Sequence, residues 1–189
     1  MPLKTVIAVD LDEVLCPFFK PLKNFVNKTT KNPIKQKPLK QYIFSTYFNI
    51  PDNEMKYLVR DFYESNEAHS LKPLTNSYKS MEFLTNIADL YIVTGRQHYA
   101  KDITYEFIDK YYPNLFKDII MTNSYSLNGK EEQKFNVCNS LNANIIIDDN
   151  EKLLKDCLEF SSTTPLLYGD YDWTPKNTNI NRILSWHKL

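Results

Sequence analysis

"TVIAVDLDEVLCPFF" runs from Thr5 to Phe19 and changes character abruptly in its middle. Val6, Ile7, Ala8 and Val9 form an unbroken apolar run, without the alternation of a half-exposed strand. That predicts a short strand buried on both faces. The run then delivers Asp10, Asp12 and Glu13 to its carboxyl end. Like charges held this close repel one another, so their placement calls for a physical reason.

Runs of the same kind recur as "LYIV" (90–93), "DIIM" (118–121), "NIIID" (144–148) and "PLLY" (165–168). Between them lie segments with helical periodicity. Tyr78, Met81, Phe83, Leu84 and Ile87 make one apolar series; Ile103, Phe107, Ile108 and Tyr111 make a second. Phe135, Val137, Cys138 and Leu141 form a third, and Leu153, Leu154, Cys157 and Leu158 a fourth. Strand and helix in alternation predict an α/β fold. The expected form is a three-layer, Rossmann-like sandwich around a parallel sheet of about five strands.

Residues 17–73 break that rhythm and are too long for a single crossover. Phe44, Tyr47, Phe48, Tyr57, Leu58, Phe62 and Tyr63 supply enough apolar surface there for a small helical cap. The expected division is a core of residues 1–16 and 74–189 with a cap of 17–73. Lys20, Lys23, Lys28, Lys31, Lys35, Lys37 and Lys40 follow one another with no acid among them. They read as a solvated basic face, or as a surface that draws in an anionic substrate.

Across 189 residues, 23 basic side chains balance 23 acidic ones, so no global field favours polymeric nucleic acid or a membrane surface. No stretch has the ~20 apolar residues of a membrane span, and the N-terminus does not read as a signal peptide. Cys16, Cys138 and Cys157 form no CxxC pair and read as reduced thiols of a cytoplasmic protein. His69, His98 and His187 lie far apart and read as ordinary side chains rather than metal ligands.

In open parallel sheets, ligands bind beyond the carboxyl ends of the strands. The first run ends in Asp10 and Asp12, the second in Thr94, Gly95 and Arg96, and the fourth in Asp148 and Asp149. A hard divalent cation with oxygen ligands would offset the repulsion among these carboxylates, and Mg²⁺ suits such a donor set. Without clustered Cys or His, zinc does not. Lys134, at the start of the helical segment before the fourth run, is the candidate for a further positive charge.

In this order the motifs "DLDEV", "VTGR", Lys134 and "IIIDDN" resemble the haloacid dehalogenase (HAD) superfamily of phosphohydrolases, over roughly residues 4–16 and 74–170. The insertion directly after the first motif matches the superfamily's C1 cap position. Within the superfamily the chain is most similar to the 5'(3')-deoxyribonucleotidases, through "DLDEVLCPFF", "FYESNEAHSLKPL" and "KFNVCNSLNANIIIDDN". That resemblance implies that Phe18 stacks on a nucleobase; Phe18 and Phe19 also read as core of the cap hinge. Glu13 departs from the commoner DxDG pattern.

The resemblance and the side-chain chemistry together imply a mechanism. Asp10 attacks phosphorus to give an aspartyl-phosphate. Asp12 protonates the leaving alkoxide and then activates water, which requires surroundings that favour its protonated form. Thr94, Gly95 and Lys134 would hold the phosphoryl oxygens. Asp10, the Asp12 main-chain carbonyl and Asp148 or Asp149 would ligate Mg²⁺. Arg96 reads either as a substrate ligand or as half of a surface ion pair. Trp173, in "YDWTP", reads as core packing after the last strand, or as a shaper of the pocket. The expected activity is Mg²⁺-dependent hydrolysis of (deoxy)nucleoside monophosphates. The alternatives are another small phosphometabolite, a nucleic-acid end, or a HAD-fold binding protein without turnover.

Overall fold

The N-terminal apolar run forms β1 (Thr5–Val9) and occupies the middle of the sheet. In the computed structural model, which describes residues 4–30 and 38–188, four helices follow before the next strand. These are α1 (Phe19–Thr29), α2 (Phe44–Phe48), α3 (Asp52–Tyr63) and α4 (Asn66–His69). Then come α5 (Ser77–Thr85), β2 (Ala88–Thr94), α6 (Lys101–Tyr111), β3 (Phe116–Met121) and α7 (Lys134–Leu141). The chain continues with β4 (Ile145–Asp148), α8 (Glu151–Phe160), β5 (Thr164–Tyr168) and β6 (Arg182–Ile183). Lys31, Lys35 and Lys37 of the basic run lie outside the described residues.

All strand pairs are parallel, in the order β3-β2-β1-β4-β5-β6. Among the described residues the sheet therefore has six strands where the apolar runs suggested about five. The extra one, β6, pairs Leu167 with Arg182 and Tyr168 with Ile183. At two residues, one of them arginine, it is too short and too polar to register as an apolar run.

Alternate side chains of each strand serve opposite faces. Ile7, Val9, Leu90, Ile92 and Ile147 join one buried cluster with Met81 and Leu84 of α5 and Phe107 and Ile108 of α6. Ala8, Val93, Ile146 and Leu167 join the other with Val137 and Cys138 of α7 and Leu154 and Cys157 of α8. This makes the three layers. Tyr78, Phe83 and Ile87, counted on sequence as part of the α5 stripe, are exposed. Only Met81 and Leu84 of that series face the sheet.

The chain has three glycines, and asparagine takes over the left-handed positions that glycine usually fills. Asn49 (φ 53) ends α2 and Asn142 (φ 50) ends α7. Asparagine tolerates this region better than other non-glycine residues because its short amide bonds locally.

The four helices between β1 and α5 pack on one another, α1 against α3 and α4, and α2 against α3. Their shared interior is aromatic. Phe18 meets Phe62 edge-on at 5.4 Å and lies 5.7 Å from Tyr63, and Phe25 meets Phe62 at 5.7 Å. Tyr57 does not belong to it; this ring is exposed and lies beside Arg60 on the outer side of α3. Phe62 is fully buried among three other rings. Phe62→Ala is expected to destabilise the protein by about 3–5 kcal/mol through lost burial and the cavity left behind. Urea unfolding of the two proteins measures this.

Candidate active site

β1 lies between β2 and β4, so the chain winds outward on one side of β1 and then returns to wind outward on the other. That reversal opens a crevice at the carboxyl ends of β1 and β4. Asp10 follows β1 and its amide donates to the Ile147 carbonyl at 2.9 Å; Asp148 ends β4. The two carboxylates are therefore neighbours by register, 7% and 1% exposed.

Lys134 is the first residue of α7 and is itself buried. Its Nζ donates to Asp148 Oδ2 at 2.7 Å and lies 2.7 Å from Asp10 Oδ1. One ammonium is therefore shared between two buried carboxylates. Burial alone would lower the Lys134 ammonium, but the Asp10 and Asp148 charges outweigh it and hold it well above the ordinary lysine value. Burial also pushes the Asp10 carboxyl up to about 7 despite the Lys134 charge, with Asp148 adding to the rise.

Asp149 completes the acidic group. Trp173 Nε1 donates to its Oδ2 at 2.7 Å. Burial, with the charges of Asp148 and Asp10 behind it, lifts the Asp149 carboxyl well above the usual carboxylate range. Asp10, Asp148 and Asp149 each offer an oxygen within 4.8 Å of the others. One lysine shared between Asp10 and Asp148 does not neutralise three acids. An all-oxygen set with surplus negative charge fits a hard divalent cation.

Asp12 faces the same crevice under different constraint. Arg96 Nε donates to its Oδ2 at 3.0 Å and Nη2 to its Oδ1 at 2.7 Å, while Nη1 donates to Thr104 Oγ1 at 3.1 Å. Arg96 is 2% exposed, so this is a buried bidentate pair and not the surface ion pair considered from the sequence. Both carboxylate oxygens of Asp12 are thus engaged by one guanidinium.

Thr94 ends β2 fully buried, and its Oγ1 accepts from the Arg96 amide at 3.3 Å. Gly95 follows it, its carbonyl accepting from the Ser124 amide at 3.0 Å. A cavity of about 350 Å³ is lined by Asp10, Asp12, Phe18, Thr94, Gly95, Arg96, Lys134, Asp148 and Asp149 together. Phe18 is both a wall of this cavity and a core ring of the inserted helices, 4% exposed. The described lysines of the basic run, Lys20, Lys23, Lys28 and Lys40, do not line it, and Lys28 pairs with Glu67 at 2.5 Å.

Tyr42, Phe44, Tyr63, Gln97, Ser124 and Tyr125 also line the cavity and escaped the sequence reading as site residues. Ser124 and Tyr125 follow the third apolar run, whose polar ending carried the same signal as the other strand ends. Tyr42 and Tyr63 had none, because the fold of the insertion alone brings them in. Two non-glycine residues at the site are held in the left-handed region, Glu13 (φ 63) and Tyr125 (φ 57), a form of stored strain common at functional sites. Glu13 shows how it is offset: its Oε1 accepts from the Phe18 and Phe19 amides at 2.8 and 2.5 Å, capping α1. Trp173, read chiefly as core packing, is half-buried with its indole N–H on the acidic group.

Solved structures share this architecture. A haloacid dehalogenase-like hydrolase of Streptococcus pneumoniae superposes with a TM-score of 0.67 at 16% identity, covering 95% of this chain and 93% of that one. YfnB of Bacillus subtilis, a HAD-hydrolase solved bound to magnesium, gives 0.63 at 14% identity over 98% and 96% of the two chains. A HAD-superfamily hydrolase of Geobacter sulfurreducens gives 0.60 at 13% identity over 98% and 94%. The fold is that of the HAD hydrolases. No curated protein matches the sequence. The family model for the cytosolic type C 5' nucleotidases, deoxy (pyrimidine), matches residues 4–188, and the chain belongs to that family. It is a hydrolase of phosphoric monoesters.

Two variants test the electrostatics and the strain. Lys134→Met leaves the Asp10 and Asp148 carboxylates buried without their cation and is expected to cost about 3–5 kcal/mol in metal-free buffer, by urea unfolding. Glu13→Ala keeps the left-handed backbone but loses both amide bonds, for an expected loss of about 2 kcal/mol. Glu13→Gly relieves the backbone and should recover part of it.

Proposed function

We propose that the protein is a Mg²⁺-dependent nucleotidase that hydrolyses (deoxy)nucleoside monophosphates through an aspartyl-phosphate on Asp10. The observation that carries this reading is the meeting of Asp10, Asp148, Asp149 and Lys134 in the wall of a cavity of about 350 Å³ that aromatic rings also line. Family membership supports the same chemistry. A phosphate held by these charged groups would leave the rest of a nucleotide to the other lining residues, which include Phe18, Phe44, Tyr42 and Tyr63. The volume suits a small-molecule substrate. On this reading residues 17–73 act as the cap over a core of 1–16 and 74–189, and the enzyme works in the cytoplasm. No helix among the described residues is long and apolar enough to cross a membrane.

Asp10 would attack phosphorus in line with the ester oxygen, forming the aspartyl P–O bond as the P–O bond to the sugar breaks. Asp12 would give its proton to the departing alkoxide, after Arg96 has yielded one carboxylate oxygen. Asp12, now ionised, would take a proton from water, whose oxygen attacks the same phosphorus and frees Asp10 and inorganic phosphate. Thr94 Oγ1, the Gly95 amide and Lys134 Nζ would hold the equatorial oxygens throughout. Asp10, the Asp12 main-chain carbonyl and Asp148 or Asp149 would hold Mg²⁺, which when bound neutralises charge on the phosphoryl oxygens.

The test is steady-state phosphate release from an aryl phosphate, 5'- and 3'-(deoxy)nucleotides and sugar phosphates, with EDTA-stripped protein before and after Mg²⁺. Turnover is expected only with the cation and fastest on a nucleotide. Asp10→Asn should lower it by at least about 10³-fold while the protein stays folded by circular dichroism. Equal rates without metal would remove the cation from the reaction. Faster hydrolysis of a sugar phosphate would replace the nucleotide as substrate.

A further inference from the structure

Trp173 lies on the loop between β5 and β6, outside the motifs that carry the phosphatase chemistry, yet its indole N–H is spent on a carboxylate of the acidic group. The Nε1–Asp149 Oδ2 distance is 2.7 Å, in the range of a charge-assisted bond. A tryptophan placed only for packing would not need its N–H directed at an acid.

The ring is held on several sides. It lies flat on Tyr171, centroids 4.5 Å apart and planes within 6°. Phe19 meets it edge-on at 5.8 Å, and Tyr42 packs against it at 5.1 Å, both from the inserted segment. Tyr171 is itself anchored, its hydroxyl donating to the Glu13 carbonyl at 2.5 Å. Gly169 makes room for that ring: at φ +81, a Cβ there would come within 2.3 Å of Tyr171 Cε2. Few positions in so glycine-poor a chain are glycine, and this one allows the stack. The Thr174 hydroxyl and amide donate to the Tyr171 carbonyl at 2.8 and 3.0 Å, and Arg182 bonds Asp170 and the Pro175 carbonyl, closing the loop on itself.

We propose that Trp173, braced by Tyr171, is a positioning residue that fixes the Asp149 carboxylate in register with Asp10 and Asp148 for a divalent cation. The proposal rests on reading those three acids as the cation site. Among the described residues, the Trp173 indole is the hydrogen-bond donor that fixes the plane of the Asp149 carboxylate against repulsion from its neighbours. Groups that hydrogen-bond a metal-binding carboxylate set its orientation, and their removal weakens metal binding by about 10–100-fold. Because the same ring touches Phe19 and Tyr42, the inserted helices brace the carboxylate as well.

The experiment is a calorimetric titration of EDTA-stripped, full-length protein with MgCl₂, comparing wild type with Trp173→Phe, which keeps a ring and removes the donor. Mg²⁺ binding is expected to weaken by about 10–100-fold, with the circular dichroism spectrum unchanged. Half-saturation by Mg²⁺ in the hydrolysis assay should shift by the same factor, and excess Mg²⁺ should restore turnover. Affinity within about twofold of wild type, well short of the loss expected for such a bond, would overturn the positioning role and leave the cation site standing. A wild type that takes up no Mg²⁺ would overturn both. Tryptophan emission of the wild type supplies a readout independent of the variant's folding. The chain's other tryptophan, Trp186, is buried with its N–H on the Val14 carbonyl. Emission should therefore change saturably with Mg²⁺ at the calorimetric affinity, and an unchanged spectrum on saturation would overturn the proposal.

Discussion

Asp10, Asp148 and Asp149 lie within 4.8 Å of one another, almost out of reach of solvent. Ionised carboxylates repel strongly at that distance in a poorly solvated setting, and the surrounding structure is organised around containing them. Lys134 provides the compensating charge. It can do so because α7 begins at the sheet edge where β1 and β4 end, so a helix's first residue comes within 2.7 Å of two strand-terminal acids. The balance remains incomplete, as the elevated Asp10 and Asp149 carboxyls show. An apolar replacement would pack more easily; the cluster is an all-oxygen donor set with surplus negative charge, a composition that fits a hard divalent cation.

A second pair, half-buried Asp12 with buried Arg96, is built just beyond the ends of β1 and β2. Arg96 satisfies its other side through Thr104, so a fully charged guanidinium sits in the interior with its donors used. The acids thus fall into two groups with different company: one crowded around a lysine, one clamped by an arginine. Separate environments of this kind allow neighbouring carboxylates to take different parts in one reaction.

The strained turn after β1 connects this chemistry to the inserted helices. Glu13, in the left-handed region, caps α1 with its side chain and receives the Tyr171 hydroxyl on its carbonyl. Its departure from the glycine common at that position is therefore structural: the carboxylate secures the entry into α1. Asparagine at other left-handed positions follows the same logic in a chain with few glycines.

Much of the fold was legible because its signals are local. Continuous apolar runs mark strands buried on both faces, and acids or hydroxyls at their ends mark the ligand edge whatever the rest of the chain does. β6 was not legible, since two residues carry no period, and neither was the part of the α5 stripe that remains exposed. The sequence alone determined that Asp10, Asp12, Thr94, Asp148 and Asp149 lie at or just beyond the carboxyl ends of strands of one parallel sheet, because strand direction and right-handed connections leave few other arrangements. Only the tertiary structure decided their company: Arg96 on Asp12, Trp173 on Asp149, Tyr42 and Tyr63 in the cavity wall. Arg96 lies 84 residues from Asp12 along the chain, and contacts at such range are set by how whole elements pack, which no local pattern encodes.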